Sequence, residues 1–403
     1  MSATSDEDRV VTLARRVVAE HDPRSVPVHE YLGACFDAGL SWVHFPDGLG
    51  GLGVSRGLQA VADRILQGAG GPVPLGLNPM GYGMAAPTIR EHAQTDDVRR
   101  RLLRPLATTE DIWCQLFSEP GAGSDLAGLA TSAVPEGSGE DTEWVINGQK
   151  VWTSLAHRAR WGLLLARTDP DLPKHQGLTY FVIDMHAPGV QTRPLRQLTG
   201  QAEFNEVYFT DARIPDSLRL GAVNDGWRVA MTTLMNERSA LGGSGSRRGA
   251  GTIADATALW ASRPGRQTPV LRDRLTQLWL RAEAQRLTAE RSRAAATVGG
   301  PGPGPEASIG KLVGAELNQN IYQWCMDFLG AEAILYHTYD LLNEEDGADW
   351  RGPVQQRFLR SLANTIEGGT SDIMRNILGE RVLGLPGDLR ADAGMPWKEI
   401  PRG

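Results

Sequence analysis

Three groups of residues in this sequence have types and spacings suited to chemistry. The first is the run Trp113-Cys114-Gln115-Leu116-Phe117-Ser118-Glu119-Pro120-Gly121-Ala122-Gly123-Ser124-Asp125, where Pro, small residues and two hydroxyls follow an apolar, strand-like stretch. Such a turn bares backbone N–H groups, and Gly and Ala let another surface approach the main chain. The amides and the Ser118 and Ser124 hydroxyls then form a cradle for an anionic or carbonyl-rich ligand, such as a phosphate-bearing cofactor. The same composition also makes an ordinary glycine-rich turn. The second group is Trp152-Thr153-Ser154. Its indole offers a flat face to a tricyclic ring and its hydroxyls can donate to ring nitrogens or carbonyls, although a Trp closing a strand also serves packing alone. The third is Asn236-Glu237-Arg238. At ~100° per residue, the helical stripe Trp227, Ala230, Met231, Leu234 and Leu241 carries Arg238 near its middle and Glu237 near its edge. A carboxylate drawn into an apolar face tends to a raised pKa, which suits a base that removes a proton from carbon; an intrahelical ion pair or a solvated Glu is the plainer alternative.

Composition bounds what these groups can belong to. With 403 residues and 41% hydrophobic content the chain can bury a large core, and a length of roughly 150 residues per domain predicts two or three lobes. The net charge of −7 disfavours nucleic acid and anionic membranes as partners. No stretch is apolar enough to span a bilayer, and the acidic, polar start Met1-Ser2-Ala3-Thr4-Ser5-Asp6-Glu7-Asp8 does not read as a secretory leader, so a cytoplasmic protein is expected. Cys35, Cys114 and Cys325 are widely spaced, which predicts buried thiols with neither a disulfide framework nor a metal site. The basic run Arg99-Arg100-Arg101 with Arg104 reads as a solvated helix face.

The elements that must position these groups change character along the chain. Thr4-x-x-Glu7 resembles a capping box, and Val10, Leu13, Ala14 and Val17 then recur at helical spacing. Helical patterns continue to about Thr109 and strands begin after Ile112. Glu143-Trp144-Val145-Ile146 and Gln149-Lys150-Val151-Trp152 flank Asn147-Gly148, which predicts a hairpin, and Trp161–Ala166, Leu178–Ile183 and Glu206–Phe209 read as further strands. Asn224-Asp225 is a candidate N-cap for the helix carrying Glu237, and Thr268-Pro269 restarts a helix with Leu271, Leu275 and Leu278. Gly299-Gly300-Pro301-Gly302-Pro303-Gly304-Pro305 must be a loop. Gly242-Gly243-Ser244-Gly245-Ser246 allows close helix packing or a roomy pocket. The expectation is an α+β, mostly helical chain with segregated lobes.

Ser118-Glu119-Pro120-Gly121-Ala122-Gly123-Ser124-Asp125 resembles the flavin-site signature of the acyl-CoA dehydrogenase family. Four further segments agree in order: Asn147–Ser154, Phe204–Phe209, Asn236-Glu237-Arg238, and Gly368-Gly369-Thr370-Ser371-Asp372-Ile373 with Arg375. The resemblance implies a helical N-terminal domain (1–111), a middle antiparallel β-domain with the flavin site (112–222) and a C-terminal four-helix bundle (223–403). It implies FAD held by Gln115, Leu116, Phe117, Ser118, Gly123, Ser124, Trp152, Thr153, Ser154, Gly369, Thr370 and Asp372, and an acyl thioester contacted by Ser124, Arg238 and Gly368. Family members place the catalytic glutamate at one of two positions. The commoner falls here on Gly368, one residue after Glu367; the other falls on Glu237, which is therefore the expected base. Electron-transferring flavoprotein as acceptor and a homotetramer or dimer are further family expectations.

Two departures qualify this. The family's Arg-x-x-Phe-Gly element, which reaches the flavin of a neighbouring subunit, is absent, with only Arg263 and Arg266 nearby, and the later glycine-rich element reads Asp327-Phe328-Leu329-Gly330-Ala331-Glu332. A hetero-oligomer, with this chain as a non-catalytic subunit, and a flavin oxidase or monooxygenase on the same fold therefore stand beside the dehydrogenase. The acyl group, and CoA against carrier-protein thioester, stay open.

Overall fold

The computed structural model describes residues 5–241, 247–297, 307–336 and 352–401. They fall into two compact units, one of residues 1–193, 204–236 and 392–403 and one of residues 194–203 and 237–391.

The first unit begins with helices α1 (Asp6–Glu20), α2 (Val28–Asp37), α3 (Gln59–Gly68), α4 (Pro74–Leu77), α5 (Ala86–His92) and α6 (Asp96–Ala107). The start of α1 lies one residue later than the sequence suggests: Ser5 is the N-cap and accepts from the Asp8 amide, while Thr4 lies outside the described residues. Val10, Ala14 and Val17 of α1 then pack against Tyr31, Leu32 and Cys35 of α2 and Ala62 and Leu66 of α3. Thr95 caps α6 by accepting from the Val98 amide. Arg100 and Arg101 are solvated as expected, whereas Arg99 and Arg104 are tied to Asp96 and Asp37.

Eight strands follow: β1 (Trp113–Leu116), β2 (Ser132–Glu136), β3 (Glu143–Ser154), β4 (Trp161–Arg167), β5 (Leu178–Asp184), β6 (Val190–Leu195), β7 (Phe204–Pro215) and β8 (Arg219–Leu220). They form one sheet in the order β6-β7-β3-β2-β4-β5-β8, with β1 beside β4. The sheet is mixed, not purely antiparallel, because β1 and β2 both run parallel to β4; the intervening β2 and β3 supply the long crossover that a parallel pair needs. Buried β4 and β5 are the centre of a core that also takes Leu102, Leu103 and Leu106 of α6. Cys35, Cys114 and Cys325 are buried free thiols.

Asn147-Gly148 does not turn the chain. Strand β3 runs straight through it, and both flanks pair with β7. The residue with left-handed backbone is across the ladder: β7 carries an extra residue there, Asp211 has φ +52°, and Asn147 exchanges two 3.0 Å hydrogen bonds with it. Long pairing with β7 outweighs the local turn preference. Gly148 is needed for a different reason. It has φ +149°, and a Cβ would sit 2.6–2.8 Å from Thr131.

The sheet hands the chain to α7 (Gly226–Leu241) at a close approach, where a Cβ on Gly226 would lie 2.6 Å from the Thr179 backbone of β5. Beyond it lie α8 (Thr252–Ser262), α9 (Pro269–Thr297), α10 (Ala307–Leu329), α11 (Val354–Ser361) and α12 (Ser371–Arg381). Thr268 caps α9 as its Thr-Pro pair suggests, accepting from the Leu271 amide. In the second unit α10 is central: Leu317, Ile321, Trp324 and Phe328 pack with Ile253 and Ala256 of α8 and Leu275 and Leu278 of α9. The segments 242–246 and 299–305 lie outside the described residues. No described helix is long and apolar enough to cross a membrane.

Gly148→Ala should cost about 1–3 kcal/mol, because it combines an unfavourable φ with a backbone clash. Gly121→Ala, where a Cβ meets nothing within 4 Å, should stay within about 0.5 kcal/mol. Urea unfolding midpoints of the two variants check the contrast.

Candidate functional site

The turn after β1 is built around a buried ion pair. Lys150 of β3 is wholly buried, and its Nζ donates to Glu119 Oε1 at 2.9 Å and to the Phe117 carbonyl at 2.9 Å. The Glu119 carboxylate also accepts from the amides of Ala130 at 2.7 Å and Thr131 at 2.9 Å. Burial raises the Glu119 pKa, but the Lys150 ammonium and these donors outweigh it, so it lies below the ordinary value. Burial pushes the Lys150 pKa down, against the pull of Glu119. Both residues stand inside the motifs read above, yet nothing in their spacing announced that they pair.

This pair fixes the cradle. Glu119 and Ala122 exchange both backbone hydrogen bonds at 3.0 Å, so their amides are spent on closing the turn and are not bared. The amides of Gly123 and Ser124 meet no acceptor among the described residues, and both residues are exposed. Space beside Gly121 and Gly123 is open. Gln115 and Ser118 are half-buried, whereas the Leu116 and Phe117 side chains belong to the core and leave only backbone for a ligand.

Trp152 lies next to this turn, because the Val151 amide donates to the Ser118 carbonyl at 2.9 Å. Here β3 carries one residue more than β7, a bulge with Trp152 at φ +60°. A bulky residue in left-handed backbone is strained, and the bulge re-aims the indole away from the ladder. The ring is 61% exposed and packs edge-on against Phe204. Thr153 is buried and its Oγ1 has no hydrogen-bond partner among the described residues, while Ser154 is half-buried at the strand end. An exposed indole, open amides, glycines with free space and an orphaned hydroxyl fit a flavin with its phosphates.

Helix α7 is held from its buried side. Thr233 Oγ1 lies 2.9 Å from both Thr88 Oγ1 and Tyr180 OH, and Thr232 Oγ1 is 2.9 Å from His92 Nε2. The buried line is Gly226, Val229, Ala230 and Thr233, with Trp227, Met231 and Leu234 half-buried. That is one position round from the predicted stripe. Glu237 and Arg238 follow Asn236 in the last turns of α7. Both side chains lie outside the described residues.

In the second unit Gly368 and Gly369 have φ +61° and +92° and lead into α12. The Thr370 hydroxyl caps α12 by accepting from the Ile373 amide at 3.1 Å, which leaves its own O–H free to donate. Asp372 is exposed and paired with Arg375. Glu367 is committed: Arg360 donates to both its oxygens at 3.1 and 2.8 Å, and Asn364 adds a bond of 2.7 Å. Arg263 and Arg266 are likewise taken up by Glu332, with Arg266 also donating to the Leu329 carbonyl.

Comparison with known proteins places this arrangement. The family model for the acyl-CoA dehydrogenase middle domain matches residues 114–212, and that for the C-terminal domain matches residues 224–383. Acyl-CoA dehydrogenase IpdE1 of Mycobacterium tuberculosis is 39% identical over 355 residues, covering 87% of this chain and 86% of that protein. The chain belongs to the acyl-CoA dehydrogenase family. As such it is an oxidoreductase of CH–CH donors that uses FAD. Acyl-CoA dehydrogenase FadE34 of the same organism is 40% identical over 371 residues, 90% of this chain, but the chain spans only 47% of the length of that relative. A solved Tcur3481-Tcur3483 steroid acyl-CoA dehydrogenase matches with a TM-score of 0.71 at 25% identity, covering 94% of this chain and 97% of that one.

Lys150→Met strands Glu119 without its cation and should cost about 3–5 kcal/mol, read by denaturant unfolding; adding Glu119→Leu should recover part of the loss. Because folding lowers the Glu119 pKa, its contribution is full above the unfolded value near 4.5 and is lost as pH falls through the folded value. The stability gap between the wild type and Glu119→Gln should therefore narrow in acid.

Proposed function

We propose that the chain catalyses α,β-dehydrogenation of a ring-bearing, steroid-derived acyl-CoA to the trans-2-enoyl-CoA. The observation that carries the reading is Trp152, presented on a strained bulge beside the open amides of Gly123 and Ser124. The identity to the steroid acyl-CoA dehydrogenase supports the substrate class.

In this reading Trp152, Ser154, Ser118 and the Gly123-Ser124 amides hold and orient FAD, and Ser124 also meets the thioester's pantetheine arm. Thr370 serves the diphosphate, and Asp372, a carboxylate paired with Arg375, would neighbour it only through a bridging donor. FAD, when bound, supplies the acceptor for the β-hydrogen, which leaves as hydride. Glu237 takes the α-proton, so the two hydrogens depart as a pair and a C=C bond forms. Proton loss from that carbon needs a polarised thioester carbonyl, and a backbone N–H of the Gly368-Gly369 turn would donate to it. Gly368 keeps that donor while leaving the side-chain space open. The alternative base, Glu367, is held by Arg360 and Asn364, which supports assigning proton transfer to Glu237. An electron-transferring flavoprotein is the electron acceptor in this reading.

One observation favours a second reading of the assembly. Arg263 and Arg266, near the place of the family's flavin-reaching element, are engaged with Glu332. A hetero-oligomer in which another chain supplies that contact follows from this, and the pair of chains named for the steroid enzyme is in keeping with it. Light scattering with flavin-to-chain stoichiometry distinguishes the versions: full FAD in a homotetramer supports the simple form, sub-stoichiometric FAD without a partner the heteromer.

Glu237→Gln keeps size and hydrogen bonding but removes basicity. It should bind FAD normally and slow single-turnover flavin reduction at least ~10²-fold, the scale of a general base. Glu367→Gln should be far milder. A reversed ranking would assign the chemistry to Glu367.

A further inference from the structure

The cradle loop has a second anchor, supplied by the far end of the chain. Residues 117–131 cross from β1 to β2 with few bonds of their own beyond the Glu119–Ala122 pair and a short turn at Leu126–Gly128. The upstream part is fixed by Lys150. The downstream part is fixed by Arg167 and Trp397. Arg167, almost wholly buried in β4, donates to the carbonyls of Ala127, Leu129 and Lys174, and its backbone amide donates to the Thr131 carbonyl at 2.7 Å. Its guanidinium lies 4.6 Å from the centre of the Trp397 ring, and Trp397 Nε1 donates to the Gly128 carbonyl at 3.1 Å.

Trp397 is carried by a tail that lies beyond the residues matching the family's C-terminal domain. The tail pairs with the β4–β5 connection through Trp397 N to Leu172 O at 2.9 Å and Lys398 N to Pro170 O at 3.0 Å. Lys174 joins the two ends of the system by bridging Asp125, the last residue of the cradle motif, to Asp392. Gly123 and Ser124, whose amides are open, therefore sit between one anchor made by the sheet and another completed only when the C-terminal segment returns.

We propose that residues 392–401 form a strap that sets the position of the FAD-cradle loop, with Trp397 as its positioning residue. The proposal rests on the reading of Gly123-Ser124 as part of that cradle. A cation–π contact and a hydrogen bond acting on one loop are each modest, but a loop with few internal bonds opens locally at little cost, so removing both shifts its opening equilibrium. The strap makes FAD retention depend on a segment 269 residues away from the carbonyl it holds.

The test uses the full chain. In hydrogen exchange on the apoprotein, Trp397→Ala should speed exchange of the Gly123–Leu129 amides by ~10-fold or more while leaving β5 unchanged. In the holoprotein, FAD release followed by flavin fluorescence should accelerate by a similar factor. Trp397→Phe keeps a ring over Arg167 without the N–H donor and should fall between. Unchanged loop exchange overturns the strap; faster loop exchange with unaltered FAD release overturns its role in cofactor retention. A protein that never holds FAD refutes the cradle reading instead, and the apoprotein exchange still judges whether the tail fixes the loop.

Discussion

The first unit's site depends on burying one ion pair, Glu119–Lys150. A buried carboxylate and ammonium are costly to desolvate and are retained where further hydrogen bonds offset that cost. Here the Phe117 carbonyl and the amides of Ala130 and Thr131 supply three of them. The pair thereby ties three separate stretches together: the exit of β1, the entry to β2 and the middle of β3. Lys150 is also two residues before Trp152, so the same bond that closes the turn fixes the strand at the root of the bulge. The open amides and the exposed indole are presented by one cross-linked piece of backbone.

Strain and satisfaction are divided between residues in a consistent way. Trp152 occupies an unfavourable backbone region and exposes a large apolar ring, while its neighbour Thr153 buries a hydroxyl without a partner among the described residues. Each is a local cost that a flat, polar-rimmed ring would offset. Other polar groups are engaged within their own unit. Thr233 is bound by Thr88 and Tyr180, which fixes the first part of α7 against the sheet and α5. In the second unit Glu367 is locked by Arg360 and Asn364, and Arg263 and Arg266 by Glu332.

The features legible in the sequence are contiguous ones: the family resemblance of the Ser118–Asp125 run and of Trp152-Thr153-Ser154, and the Thr268-Pro269 helix start. What was hidden is what pairs across the chain. The Glu119–Lys150 bond joins two motifs whose spacing says nothing of contact, and the Thr88–Thr233–Tyr180 group uses residues that read as ordinary polar positions. Asn147-Gly148 misled for the opposite reason. Its local turn preference is strong, but a twelve-residue strand with a partner along most of its length overrides it. The parallel placement of β1 on β4 was likewise invisible, since strand order is set by the long-range core and not by the pattern within a strand.

An anaerobic absorbance titration of the purified wild-type protein with a steroid-derived acyl-CoA tests the proposed reaction. A yellow protein whose flavin band bleaches with formation of the enoyl-CoA is the expected result. A colourless protein, or a flavin that is reduced only by an external reductant and consumes oxygen to hydroxylate the ligand, would contradict it.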